Sequence, residues 1–185
     1  DDEKPAMNVE YHSKQDIVDY YNKHPFDGDM DTKYKEEPDV FAPYNLGSLT
    51  QKTIDNAQNM VNVVRYVAGL SGMTVEDASL SKSAQAAALA NAANGELSHY
   101  PRRPRDMSDN MYNLAQEGAS SSNIAMTSGR MTLPMSIRMY LSDADSGNRS
   151  RVGHRRWILY PTLYKIGFGH VEGYTATRVI GGERN

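Results

Sequence analysis

The chain has 185 residues, 39% of them hydrophobic and 23% charged, with a formal net charge of -3 and no cysteine. That length suits one domain with a sizeable core, and the missing cysteines exclude disulfide stapling, thiolate catalysis and a thiol-based zinc site. The mean hydropathy of -0.66 and the lack of any run of about 18 apolar residues exclude a transmembrane helix and place the chain among soluble globular domains.

Residues 1–40 carry 12 acidic and 5 basic side chains, leaving 11 acidic and 15 basic for the rest. The body's arginines form two clusters: Arg102, Arg103 and Arg105, then Arg149, Arg151, Arg155 and Arg156. This excess is too small, and too poor in interleaved aromatics, for a nucleic-acid footprint. It reads as local anion binding or a solvated rim. A chain opening at Asp1 fits a mature form freed of a secretory signal, or a trimmed one.

In chain order, residues 1–43 are polar and acidic, broken by Pro5, Pro25, Pro38 and Pro43, with one weakly apolar segment at Asp16–Tyr21. They predict an extended arm or linker, partly docked through its tyrosines, with His12 and His24 as surface histidines. Ile54, Ala57, Val61, Val64 and Ala68 recur at helical spacing and predict an amphipathic helix between Leu49 and Leu70. Ser48 or Thr50 caps it, and Gly69 and Gly72 mark its end.

A second helix is predicted over Val75–Asn94, with Thr74 as cap, Asp77 three residues on and Gly95 as the left-handed stop. Its many alanines leave little bulk, so another element can approach its backbone. His99 follows just beyond the helix end, held in place yet accessible. Pro101–Arg105 reads as an extended basic loop. Ser108 caps a short helix through Gln116, stopped by Gly118, and Ala119–Ser122 reads as small and flexible.

The next helix runs from Thr132 to Asp143, with Pro134 in its first turn and Met135, Met139 and Leu141 as its apolar residues. The loop Asp143–Arg151 resembles the start of a calcium loop but lacks the downstream bidentate glutamate. VGHRRWILY, Val152–Tyr160, predicts a strand with His154, Arg156 and Ile158 on a cleft face and Arg155, Trp157 and Leu159 on the other, where Trp157 and Leu159 enter the core. Leu163–Phe168 and Tyr174–Ile180 predict an antiparallel hairpin joined by Gly169–Gly173. Helices first and strands last point to an α+β fold with helices covering an antiparallel sheet.

No glycine-rich phosphate loop, HExxH or nucleophile elbow is present. The chemistry-bearing residues that remain are His99, His154 and Asp143, each at the end of a predicted element. Two imidazoles and a carboxylate either hold a divalent cation such as zinc with one position open, or shuttle protons.

NAANGELSHYP around His99, SSNIA at Ser121–Ala125, YLSD at Tyr140–Asp143, GHRRWILYPTLYKIGFG at Gly153–Gly169 and RYVAGL at Arg65–Leu70 together resemble the CAP superfamily in its bacterial, cysteine-free type. This is the group of cysteine-rich secretory, antigen 5 and pathogenesis-related proteins. The resemblance covers about residues 44–180, so residues 1–43 are expected as an acidic arm or linker and 44–185 as the domain. It implies a three-layer α-β-α sandwich with a largely antiparallel central sheet, a secreted or cell-surface location, and a central cleft lined by two histidines and two acids. By motif, His99 and His154 match the histidines and Asp143 the second acid. Ser122 stands where the first acid belongs. Serine is a neutral, weak ligand, so the tetrad is incomplete; Glu117 is the acid placed to reach in from the preceding loop.

The expected function is a ligand-binding module using the cleft of His99, Ser122, Asp143 and His154, for a small-molecule, lipid or cell-envelope ligand. His99, His154 and Asp143 are the candidate ligands for zinc or another divalent cation. The alternatives are a metal-dependent hydrolase of protein or envelope polymer, and an adhesive domain whose Arg102, Arg103 and Arg105 meet an anionic cell-wall polymer or a protein partner. Ser122 as a nucleophile lacks an elbow or oxyanion-hole signature.

Overall fold

The computed structural model describes residues 9–70 and 73–184; the expected features at Pro5 and Gly72 lie outside them. The N-terminal segment is not simply extended. Ser13 and Asp16 cap each other's backbone amides and start helix α1 (Lys14–Lys23), which buries no side chain of its own and so has no strong apolar stripe to announce it. Aromatic stacking docks it on the body: Tyr66 receives the His12 ring at 3.7 Å and the Tyr20 ring at 4.0 Å. Farther on, β1 (Tyr34–Glu36) pairs antiparallel with β2 (Ser48–Leu49).

Helix α2 (Gln51–Val67) is capped by Thr50; of its predicted stripe Ala57 and Val61 are buried and Ile54 and Val64 half-buried, whereas Ala68, past the helix end, is exposed, and Met60 joins the buried side. The short strand β3 (Val75–Glu76) comes before α3 (Ala78–Asn94), so the cap is Asp77, whose carboxylate accepts from the amides of Ser79 and Leu80. Thr74 is instead buried, giving its amide and hydroxyl to Asn62 Oδ1 at 2.7 and 2.8 Å. Gly95 closes α3 at φ +64°.

Helix α4 (Asp109–Ser120), capped by Ser108, runs through Gly118 rather than stopping there. The glycine is needed for contact: a Cβ would fall 1.9 Å from the Ser83 carbonyl oxygen on α3. The stretch expected to be flexible therefore completes a helix and opens β4 (Ser122–Met126). Thr132 caps α5 (Leu133–Ser142), which ends with Asp143 at φ +42°. Its buried side is Leu133, Ile137 and Tyr140, whereas Met139 is exposed.

VGHRRWILY is not a strand. Turns occupy the residues up to His154, and Arg155–Ile158 make the short helix α6. Ile158 is fully buried, while Trp157 packs against the same core from a half-buried position. The reason lies on α2: buried Arg65 donates to the carbonyls of Ile158, Tyr160 and Leu163 at 2.8, 2.9 and 3.1 Å. A guanidinium thus supplies the donors that a sheet ladder would otherwise have to provide for these carbonyls. Burial pulls the Arg65 pKa down to about 10, which leaves it cationic at neutral pH.

The predicted hairpin is present as β5 (Lys165–Val171) and β6 (Tyr174–Arg178), but two residues, Glu172 and Gly173, make the turn instead of five. The sheet order is β3-β5-β6-β4. β3 runs parallel to β5 while the other pairs are antiparallel, so the sheet is mixed rather than largely antiparallel. α3 and α4 cover one face, and α2 and α5 the other.

Ile166 and Phe168 join Val61 and Ile137 in one core, while Val171 joins Leu89 in the other. Between them Gly167 and Gly169 lie against the α3 backbone, where a Cβ would approach Leu80 and Ala84 carbonyl carbons to 2.3 Å. The alanine-rich helix and the glycine strand are the two halves of one close contact.

Candidate functional site

β4 is one of the two edge strands of the sheet, opposite β3, and the cleft opens along it. Each helical layer brings one histidine. His99 follows α3 and turns back so that Nδ1 lies 2.8 Å from the Ala119 carbonyl of α4. A carbonyl only accepts, so Nδ1 carries a hydrogen, and Nε2 has no protein partner among the described residues. From the other layer, His154 Nδ1 lies 2.7 Å from Asp143 Oδ1. That carboxylate also accepts the amides of His154 and Arg155 at distances between 2.9 and 3.2 Å. An acceptor-only group fixes the same tautomer here, again leaving Nε2 bare.

Both rings border a cavity of about 550 Å³ whose walls include Leu97, Ile124, Met126, Met139 and Tyr140, and a smaller pocket of about 150 Å³ that shares Asn148 and Arg151 with it. Asp143 is 1% exposed and lines neither. It sits behind His154 with its oxygens committed to three N–H groups. Ser122 borders the small pocket, and its buried hydroxyl has no hydrogen-bond partner. Glu117 does not replace the absent acid; its carboxylate pairs with Arg178 at 2.9 Å. The four expected residues therefore gather at one place, three on the cavity walls and Asp143 one step behind.

A family model described as the cysteine-rich secretory protein family, CAP, matches residues 58–180, a span that includes both cleft histidines. The chain belongs to the CAP family. No curated protein and no solved structure matches it. Among the described residues no helix is long and apolar enough to cross a membrane.

In this CAP chain several cleft residues escape sequence reasoning. Asp145, Asn148 and Arg151 come from the loop that resembled a calcium site. Asp145 instead accepts the amides of Gly147 and Asn148, and the Asn148 side chain, closing its own turn. Those bonds, led by the Asn148 side chain, hold its carboxyl below its ordinary pKa. Asp143, Asp145 and His154 are the group of three whose donor atoms all lie within 4.8 Å among the described residues, and His99 is not part of it.

The arginine clusters also divide. Arg102 pairs with Glu96 at 3.2 Å, Arg103 with Asp109 at 2.6 Å and Arg105 with Asp106 at 3.7 Å. Arg149 and Arg155 hold backbone carbonyls of the Leu141–Ala144 segment. Arg151 and Arg156 line the small pocket instead, and neither has a carboxylate partner among the described residues.

Proposed function

We propose that residues 44–185 form a secreted or cell-surface CAP domain that binds a small ligand in the cleft between His99 and His154, with residues 1–43 as its N-terminal arm, of which His12 and Tyr20 dock on Tyr66. The observation that carries this reading is the pair of imidazoles, one from each helical layer, pinned at Nδ1 and presenting unused Nε2 atoms to one cavity. Pinned rings give up little entropy on binding, which favours capture. The apolar wall of Leu97, Ile124, Met126 and Met139 adds burial for a small or lipidic ligand.

The donors fit a weakly held divalent cation. His99 and His154 would supply the nitrogens, and zinc bound there would add a Lewis acid to the cleft. With Ser122 neutral and Asp143 turned to three N–H groups, the carboxylate left beside His154 is Asp145, whose oxygens already close the turn at Gly147 and Asn148. Asp143 acts instead as a positioning residue for His154.

Hydrolysis with Ser122 as nucleophile finds less support than binding, and a metal-dependent hydrolase stays the alternative reading of the same histidines. The Ser122 hydroxyl is bonded to neither histidine, so it has no base to activate it. The adhesive reading is weakened because Arg102, Arg103 and Arg105 already face acids.

Titration calorimetry with zinc tests the imidazole pair. Saturable heat is expected for the intact protein and its loss for the double variant His99→Ala, His154→Ala. Equal heats overturn the pair as the binding element.

A further inference from the structure

We infer that the small pocket bordered by the two histidines is a phosphate subsite, taking either the free anion or a phosphomonoester whose remainder lies in the larger cavity. This rests on the reading of the cleft as a ligand site. Three observations carry it.

First, no acidic residue lines the pocket, although it is strongly polar: His99, His154, Arg151 and Arg156 face it together with serine and asparagine side chains. Three carboxylates in the neighbourhood are committed elsewhere: Asp143 faces Nδ1 of His154, Asp145 borders the larger cavity, and Glu117 pairs with Arg178. Second, the two guanidiniums have little else to do. Arg156 lies 5.2 Å over the Trp157 ring, and Arg151 has one long contact of 3.4 Å to Asn148. Third, the Ser122 hydroxyl is 5% exposed as a residue and bonded to nothing. A buried hydroxyl without a partner is costly, and a ligand oxygen would relieve that cost.

The chemistry of the walls selects phosphate over other anions. Ser122 and the arginines donate, which calls for acceptor oxygens. A neutral imidazole accepts at Nε2, which an O–H on the same ligand fills. A singly protonated phosphate carries both, whereas a carboxylate has only acceptors. The volume, about 150 Å³, is room for roughly five waters and accommodates one phosphate group. Where the family motif has an acid, Ser122 both removes a negative charge and leaves the space.

The test is calorimetric titration of the intact protein with inorganic phosphate, phenyl phosphate and acetate. Phosphate is expected to bind saturably, and acetate about tenfold more weakly or not at all. Phenyl phosphate binding tighter than phosphate assigns the monoester as the source; equal or weaker binding assigns the free anion.

Ser122→Glu is expected to abolish phosphate binding, and Arg151→Ala with Arg156→Ala to weaken it about tenfold or more. Histidine ring NMR on the unaltered protein gives a readout independent of variant folding: the His99 and His154 signals should move with phosphate and those of His170 should not. No saturable phosphate binding, no shift of those rings, or full binding by Ser122→Glu overturns the inference. If that happens while His99- and His154-dependent zinc binding survives, the cleft reading stands and only the subsite falls.

Discussion

His154 and His170 are the same residue type put to opposite uses. His170, on β5, is 5% exposed, donates Nε2–H to the Met131 carbonyl at 3.0 Å and accepts the Tyr34 hydroxyl at Nδ1. Both nitrogens are consumed, and burial pushes its pKa below the ordinary 6.5. His154 spends one nitrogen on Asp143 and keeps the other, as His99 does with Ala119. The comparison teaches that a histidine marks a site through the hydrogen-bonding capacity left over after folding, not through its presence.

The β5 side of the comparison should break most severely where the backbone is closest. Gly169→Ala puts a Cβ against the Ala84 carbonyl carbon of α3, and is expected to cost about 3 kcal/mol or more in urea unfolding. At the cleft the sensitive residue is Asp143. Asn in its place keeps the size but points N–H groups at the amides it must receive, so Asp143→Asn should cost about 2 kcal/mol. Zinc affinity should also fall about tenfold as His154 loses its orientation; unchanged zinc affinity would show that Asp143 does not position the ring.

The smallest effect is the one that separates the two histidines by pH. Tyr34→Phe leaves His170 Nδ1 bare, for an expected loss of about 1 kcal/mol with cleft affinity unchanged. In the parent protein the unfolded chain binds a proton near pH 6.5 that folded His170 binds only at lower pH. Stability from this group is therefore full above that value and declines as pH falls through the lowered folded value. Replacing His170 by Gln should flatten that part of a stability profile, and a slope that survives assigns it to another group.

Much of this was legible in sequence because it was local. The caps at Thr50 and Ser108, the helix start near Thr132, the Gly95 stop, the α2 stripe and the β5-β6 pairing each need only a few neighbouring residues to be recognised. The motifs around His99 and His154 brought the family and its α-β-α layers with them.

Other features depended on distant partners. Gly118 looks like a stop until Ser83 lies against it, and Thr74 like a cap until Asn62 takes its hydroxyl. Val152–Tyr160 alternates like a strand, but Arg65, far away in the chain, supplies the hydrogen bonds that let it turn as a helix. Asp143 reads as a cleft ligand until its oxygens are counted.

By itself, then, the sequence determined the caps, the principal helices, the hairpin, the two histidines and the serine in an acid's place, because each is written in side-chain type and spacing. Tertiary structure alone decided how the ring nitrogens are spent, that Asp143 stands behind the cleft, and that Arg151 and Arg156 face a pocket while Arg102, Arg103 and Arg105 face acids. Hydrogen-bond capacity is allocated by the whole fold, and what is left over becomes visible only when every partner is in place.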